Sequence, residues 1–379
     1  MESSRNLHHG ITGHDHKILA NLDNQQSHWG RPKMPVDLDD LKLLSKIDRS
    51  NMMSAVARFS DIFLRSRDEA EVSVTKTKAS FQSLVLMGMG GSASAADVVL
   101  DWLKGSLPIP ALVHREPGLP AFVNSRTLFI ALSYSGETSE TLAAFREAKN
   151  RGSSLVGIGH GGSLASFCYR FKAPFIHVEA SLAPRAALGQ LIVSAAIALE
   201  NANLIRSTTR EISKAAQELV RIRRRCRIET PVADNPAKSL AVKLLGHLPV
   251  LYSLQRMSSV ARRFKNQLAE NSKLLAKYDL LPEAGHNEVE AWHERDNMLP
   301  VIIRDAQETS FERSIVRAFR GTISSASRSH PLDVRVASRG SLSRLLSPIF
   351  FLDYVSVYLA MLRRVDPTPT DLINEYKKR

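Results

Sequence analysis

Apolar positions along the chain follow two patterns. Between Asp37 and Leu64 they sit at helical spacing, with Leu38, Leu41, Leu44 and Ile47 on one face and Val56, Phe59, Ile62 and Phe63 continuing it. From Ser83 the pattern shortens. Leu84–Met87 is the apolar run of a strand buried on both faces, and Gly88, Gly90 and Gly91 then turn the backbone into a helix of small residues. Ala111–His114, Thr127–Leu132, Leu155–Ile158 and Phe175–Val178 read as further strands, with a helix at Glu140–Asn150 and a long apolar one at Ala187–Leu204. A basic helix, Thr209–Arg227, connects to a second round. This has strands at Pro249–Leu254, Met298–Ile303 and Val334–Val336 and helices at Ser258–Lys277 and Ser341–Arg364. Asp366-Pro367-Thr368-Pro369 breaks the last helix before a short terminal one. Strands alternating with helices predict an α/β fold of parallel sheets covered on both faces. The expected divisions are a loose tail over 1–34, N-terminal helices over 35–80, a first subdomain over 81–206, a connector over 207–235 and a second subdomain over 236–379.

Composition narrows the class. With 379 residues, 44% hydrophobic and 23% charged, the chain has material for two cores and reads as soluble and globular. Only Cys168 and Cys226 are present, so neither a disulfide framework nor a four-cysteine metal site is expected, and a reducing cytoplasm is the default location. Met1–Met34 is polar, without the apolar stretch of a signal peptide. Its His8, His9, His14 and His16 lack apolar neighbours that would fix a metal geometry. Leu346–Leu362 is interrupted by Asp353 and reads as a buried helix, so no membrane partner is expected. The net charge of +13 attracts anions, but the one dense basic run, Arg221–Arg227, has no interleaved aromatics. It reads as a solvated helix face, and nucleic acid is not an expected partner.

Candidate chemistry concentrates at two loops. A strand running through Gly88-Met89-Gly90-Gly91-Ser92 into a helix aims bare N–H groups and the positive end of the helix dipole at one place, which suits phosphate. The spacing fits a nucleotide, a sugar phosphate or a plain tight turn. After the third strand comes Ser133-Tyr134-Ser135-Gly136-Glu137-Thr138, three hydroxyls leading into another helix. One hydroxyl is explained by helix capping; three at close spacing favour a phosphate monoester, since each of its oxygens needs several donors. Loops after the first and third strands converge at the carboxyl edge of a parallel sheet. Glu116 is only a loose candidate for the acidic residue that a dinucleotide site would want, so a sugar phosphate is favoured.

The pair Gly88-Met89-Gly90-Gly91-Ser92 and Ser133-Tyr134-Ser135-Gly136-Glu137-Thr138 resembles the sugar isomerase (SIS) domain. Further segments extend the likeness: Pro184-Arg185-Ala186-Ala187-Leu188-Gly189, Lys265 through Glu270-Asn271, His286-Asn287-Glu288 with Trp292, and Asp366-Pro367-Thr368-Pro369 through Lys377. With these, nearly the whole chain from Asp37 is similar to the bifunctional phosphoglucose/phosphomannose isomerases. The resemblance implies two doubly wound, flavodoxin-like SIS subdomains and a homodimer with composite active sites. It implies that Gly91, Ser92, Ser133, Ser135 and Thr138 hold the substrate phosphate. Arg185 would stabilise an enediolate, Glu270 would move the proton, and His286 with Lys377 would open the sugar ring. Alone, Glu270 would be a helix-surface partner, Arg185 a generic cation, His286 a packing residue and Lys377 a frayed end. Their joint pattern supports catalysis.

The chemistry is consistent with that set. Aldose–ketose isomerisation needs a carboxylate over adjacent carbons, a cation near the developing oxyanion and an acid/base at the ring oxygen; no metal or other cofactor is called for. Glu288 is the next carboxylate candidate. The alternative from another class is an SIS protein that senses a sugar phosphate without turning it over.

Overall fold

The computed structural model describes residues 36–70, 80–181, 183–293, 297–326 and 330–378. The histidines of the N-terminal tail lie outside them. The described chain opens with α1 (Leu41–Ile47), α2 (Met52–Ala57) and α3 (Phe59–Ala70), where helical spacing predicts a continuous stretch. Two side chains divide it. Asp48 accepts hydrogen bonds from the backbone N–H groups of Met52 (2.7 Å) and Met53 (2.8 Å). Asn51, at φ 59°, accepts from Ser54 N at 3.1 Å, so a new helix start replaces propagation.

The first subdomain contains β1 (Ser83–Met87), α4 (Gly90–Leu103), β2 (Ala111–His114), β3 (Thr127–Leu132), α5 (Ser139–Asn150), β4 (Ser154–Gly159), α6 (Gly162–Phe171), β5 (Phe175–His177) and α7 (Leu188–Asn201). The strands pair in parallel in the order β2-β1-β3-β4-β5. β1 and β3 are buried along their whole length, as their unbroken apolar runs require. α8 (Thr209–Cys226) follows, with Ile212, Ala215, Ala216, Leu219 and Cys226 buried on one face. Its arginines lie outside that stripe; Arg223 pairs with Asp61 at 2.6 Å and Arg221 with Glu218 at 3.0 Å.

The second subdomain contains α9 (Pro236–Leu244), β6 (Leu248–Leu254), α10 (Ser258–Glu270), β7 (Lys277–Leu281), β8 (Met298–Arg304), α11 (Ser310–Ala326), β9 (Leu332–Arg335), α12 (Ser343–Leu362) and α13 (Asp371–Lys378). Its sheet is again parallel, β7-β6-β8-β9. The helix expected over Ser258–Lys277 stops at Glu270. Lys273 takes φ +53°, and Lys277 begins a strand on the sheet edge. No Gly or Pro marks the break, and Asn271 at the C-cap is its local signal. α9 and α11 were not expected from the pattern, and the last strand, expected at Val334–Val336, starts two residues earlier and ends one earlier, over Leu332–Arg335.

α12 is the one helix among the described residues long and apolar enough to cross a membrane, and it is buried against α8, α9 and α10. Asp353 within it is also buried, and accepts from Arg263 Nε at 3.1 Å and Nη2 at 2.6 Å. Burial pushes the Asp353 carboxyl up, against the pull of Arg263. The two subdomains are joined through α4. Asp101 near its end accepts from Ser259 N (2.8 Å) and Ser258 Oγ (3.0 Å), satisfying the first turn of α10. Trp102 Nε1 donates to Ser341 Oγ at 3.0 Å. Asp353→Ala would strand the buried Arg263 charge, an expected loss of about 3–5 kcal/mol in urea unfolding of the full chain.

Candidate active site

In the first sheet the strand order reverses between β1 and β3, and the crevice at their carboxyl ends receives both loops. Tyr134 N donates to Ser92 Oγ at 3.2 Å, which ties one loop to the other. Neither Met89 nor Thr138, the residues preceding α4 and α5, caps its helix with a side-chain hydrogen bond. Two helix starts therefore bring uncapped first turns to one crevice, an arrangement suited to an anion. The hydroxyls are partly pre-engaged. Ser133 Oγ donates to Thr138 Oγ1 at 3.2 Å, and Ser135 Oγ accepts from Glu137 N at 3.2 Å. Ser92, Ser135 and Thr138 are thus used as acceptors, and each keeps its own O–H to donate.

Arg185 closes this crevice from the 3₁₀ turn Pro184–Ala187. The turn packs closely on Gly91: a Cβ there would stand 3.3 Å from Pro184 O and 3.4 Å from Arg185 Cα, a tight contact. The Arg185 side chain is only 4% exposed and is held on several sides. Nε donates to Asn271 Oδ1 at 2.8 Å, and Nη2 to the carbonyls of Pro367 (2.9 Å) and Thr368 (3.0 Å). Nη1 pairs with Glu270 Oε2 at 3.5 Å. Burial draws the guanidinium below its usual range, while Glu270 opposes that pull; arginine stays charged. Asn271 Nδ2 donates to Ser356 Oγ at 2.9 Å, and Arg263 Nη2 donates to Arg185 O at 3.1 Å, so the turn is fixed from beneath as well. Glu270 ends α10 with its side chain 23% exposed while paired to a cation.

His286 and Lys377 lie elsewhere. His286 is exposed in the 3₁₀ turn Glu283–His286, beyond the carboxyl end of β7. Among the described residues it makes no hydrogen bond with the Arg185–Glu270 group. Its turn is anchored by the residues that follow: Glu288 Oε1 accepts from the Tyr252 hydroxyl at 2.7 Å, and Trp292 Nε1 donates to that hydroxyl at 2.9 Å. Glu288 also pairs with Lys277. That commits Glu288 to this anchor and away from Arg185. Lys377 is exposed near the end of α13. The loop leading to that helix is the one whose carbonyls Arg185 holds.

Residues 233–379 match the bacterial phospho-glucose isomerase C-terminal SIS domain, and residues 77–174 match the SIS domain. The bifunctional phosphoglucose/phosphomannose isomerase of Caldicellulosiruptor bescii is 32% identical over 319 residues, 81% of this chain and 92% of that protein. The chain belongs to the bifunctional phosphoglucose/phosphomannose isomerase family. Another protein of that name, from Thermoplasma volcanium, is 28% identical over 326 residues, covering 85% of this chain and 99% of its own. In fold, the chain is similar to the C-terminal domain of glucosamine-fructose-6-phosphate aminotransferase from Francisella tularensis (TM-score 0.63, 14% identity, 84% of this chain and 97% of that one). It is also similar to a glucose-6-phosphate isomerase like protein from Thermus thermophilus (TM-score 0.58, 19% identity, 90% and 99%).

Within this family member the geometry adds a residue that the sequence pattern did not single out. Lys273 Nζ donates to the carbonyls of Glu270, Pro369 (2.7 Å) and Pro367 (3.3 Å). Burial, and then Arg185, hold its ammonium below the usual lysine range. A cation just past a helix C-terminus was the available signal. Lys273→Met should loosen the Asp366–Pro369 loop, seen as faster tryptic cleavage after Arg363 and Arg364 than in the wild type.

Proposed function

We propose that the chain interconverts glucose 6-phosphate and mannose 6-phosphate with fructose 6-phosphate by proton transfer through a cis-enediolate. The observation that carries this reading is a carboxylate, Glu270, paired to a buried guanidinium beside an anion cradle. With the phosphate on Gly91, Ser92, Ser133, Ser135 and Thr138, the open-chain sugar reaches back toward Glu270. The Glu270 carboxylate takes the proton from C2 of the aldose, and the C2–H electron pair becomes the C1–C2 double bond as O1 acquires negative charge. The remaining Nη1 N–H of Arg185 meets that charge. The proton then returns to C1 while the hydroxyl proton moves from O2 to O1, giving the ketose with atoms and charge conserved. A sensor would need the cradle but not a carboxylate held beside a cation. In a coupled assay with both aldose phosphates, Glu270→Gln should lower kcat by at least about 10²–10⁴-fold and leave KM nearly unchanged. Wild-type binding of fructose 6-phosphate without turnover of either aldose would favour the sensor.

Ring opening is assigned to His286 with Lys377, and supports a homodimer with composite sites. α10 runs from the carboxyl edge of the second sheet to its amino edge, ~18 Å at 1.5 Å per residue, and Glu270 is at its far end. His286 follows β7 at the carboxyl edge. A histidine serving Glu270 would then come from a second copy. Leu372 (81% exposed) and Tyr376 (75%) on α13, with Leu275 (73%), form apolar surface that such a contact would cover. Mixing inactive Glu270→Gln and His286→Ala proteins, after reversible dissociation, should restore about a quarter of wild-type activity, because half of the randomly formed dimers carry one intact site. No recovery on mixing would place both residues in one chain's site.

A further inference from the structure

Beside the hydroxyl loop lies a second glycine-rich turn, Gly159-His160-Gly161-Gly162-Ser163, where β4 passes into α6. By its position it is another uncapped helix start at the same sheet edge, and Gly161 before α6 makes no side-chain cap. Its first turn is nevertheless filled. The Glu137 carboxylate accepts from Ser163 N through Oε1 at 2.7 Å and from Ser163 Oγ through Oε2 at 2.8 Å. The backbones are stitched on either side of this contact. His160 N donates to Tyr134 O at 2.8 Å, and Leu164 N to Gly136 O at 3.0 Å. They lie so close that a Cβ on Gly136, itself at φ +71°, would overlap Gly161 O at 1.9 Å.

Glu137 stands between Ser135 and Thr138, and its own N–H donates to Ser135 Oγ at 3.2 Å. Fixing residue 137 therefore fixes both hydroxyls. We infer that Glu137 is a positioning residue for substrate phosphate: its carboxylate occupies the α6 N-terminus and latches the hydroxyl loop in its binding conformation. The inference rests on reading that loop as the phosphate cradle. Without the latch, the loop must be ordered by the ligand, and the ordering entropy is subtracted from affinity. The phosphate is remote from the carbon–hydrogen bond being broken, so the loss is uniform across ground and transition states and falls on KM.

The test compares Glu137→Ala, Glu137→Gln and Ser163→Ala with Ser135→Ala and Thr138→Ala. It reads KM and kcat for fructose 6-phosphate, Ki for inorganic phosphate, and thermal midpoint. For Glu137→Ala, KM and the phosphate Ki should rise together by about tenfold, with kcat within about twofold of wild type, as for one lost charge-assisted hydrogen bond. Glu137→Gln retains an oxygen for Ser163 N and an amide that can donate to Ser163 Oγ, so it should recover most of the affinity. Ser163→Ala should fall between. Unchanged KM and Ki in Glu137→Ala, alongside weakened binding in Ser135→Ala, would overturn the latch while sparing the cradle. A lowered midpoint with no change in the phosphate Ki would also overturn it, assigning Glu137 to stability alone. Unchanged phosphate binding in both Ser135→Ala and Thr138→Ala would remove the cradle itself, and the latch with it.

Discussion

The site depends on one buried guanidinium. An arginine withdrawn from water must meet its N–H groups with acceptors, and Arg185 finds them on Asn271, on two carbonyls of the Asp366–Pro369 loop and on Glu270. Those acceptors come from the end of α10 and from the segment after α12, both in the second subdomain. The turn that carries Arg185 is meanwhile pressed on Gly91 of the first. Desolvating the cation thus forces the candidate anion cradle, the Glu270 carboxylate and the C-terminal loop into one arrangement. Beneath it, Arg263 repeats the principle: it gives one N–H to the Arg185 carbonyl and two to Asp353. A paired buried charge is weak evidence for stability in itself, and here it specifies geometry.

The second sheet has the same winding as the first, yet its corresponding crevice is put to another use. Where the first has glycines and hydroxyls, the second has Arg256, whose guanidinium pairs with the fully buried Asp305 at 2.7 Å and with Glu312 at 3.0 Å. Carboxylates occupy the position where an anion would sit. The duplicated topology therefore yields one candidate cradle in the described residues, with the second half supplying the carboxylate proposed to move the proton, Glu270.

Much of this was legible in the sequence because it rests on short-range signals. The buried strands are unbroken apolar runs, and the cradle is written in contiguous residues, Gly88–Ser92 and Ser133–Thr138. The end of α10 had only a weak mark, Asn271. Between Glu270 and Lys277 the only stop signal is Asn271 with Ser272; Lys273 adopts a left-handed conformation, and its side chain meets carbonyls nearly a hundred residues away. α11 did carry a signal, since Val316, Phe319 and Ile323, the residues buried along it, fall at helical spacing. The environment of Arg185 could not be read locally, since its acceptors are distant in sequence. Glu288 shows the converse: adjacent to His286 and chemically suitable, it is consumed by Tyr252 and Lys277.

α4 has a consequence for how the chain could be divided. Two separate SIS segments can be recognised by sequence, which suggests modules that evolution or an engineer could exchange. Yet α4 begins at the cradle, and near its end Asp101 supplies the cap for the first turn of α10. A graft of the second segment alone would arrive with a bare amide at Ser259, a Ser258 hydroxyl without its acceptor and Arg263 lacking the Arg185 carbonyl. The unit of inheritance here is the pair: a new first half must bring an acidic residue at the Asp101 position, or the helix that ends at Glu270 begins unsupported.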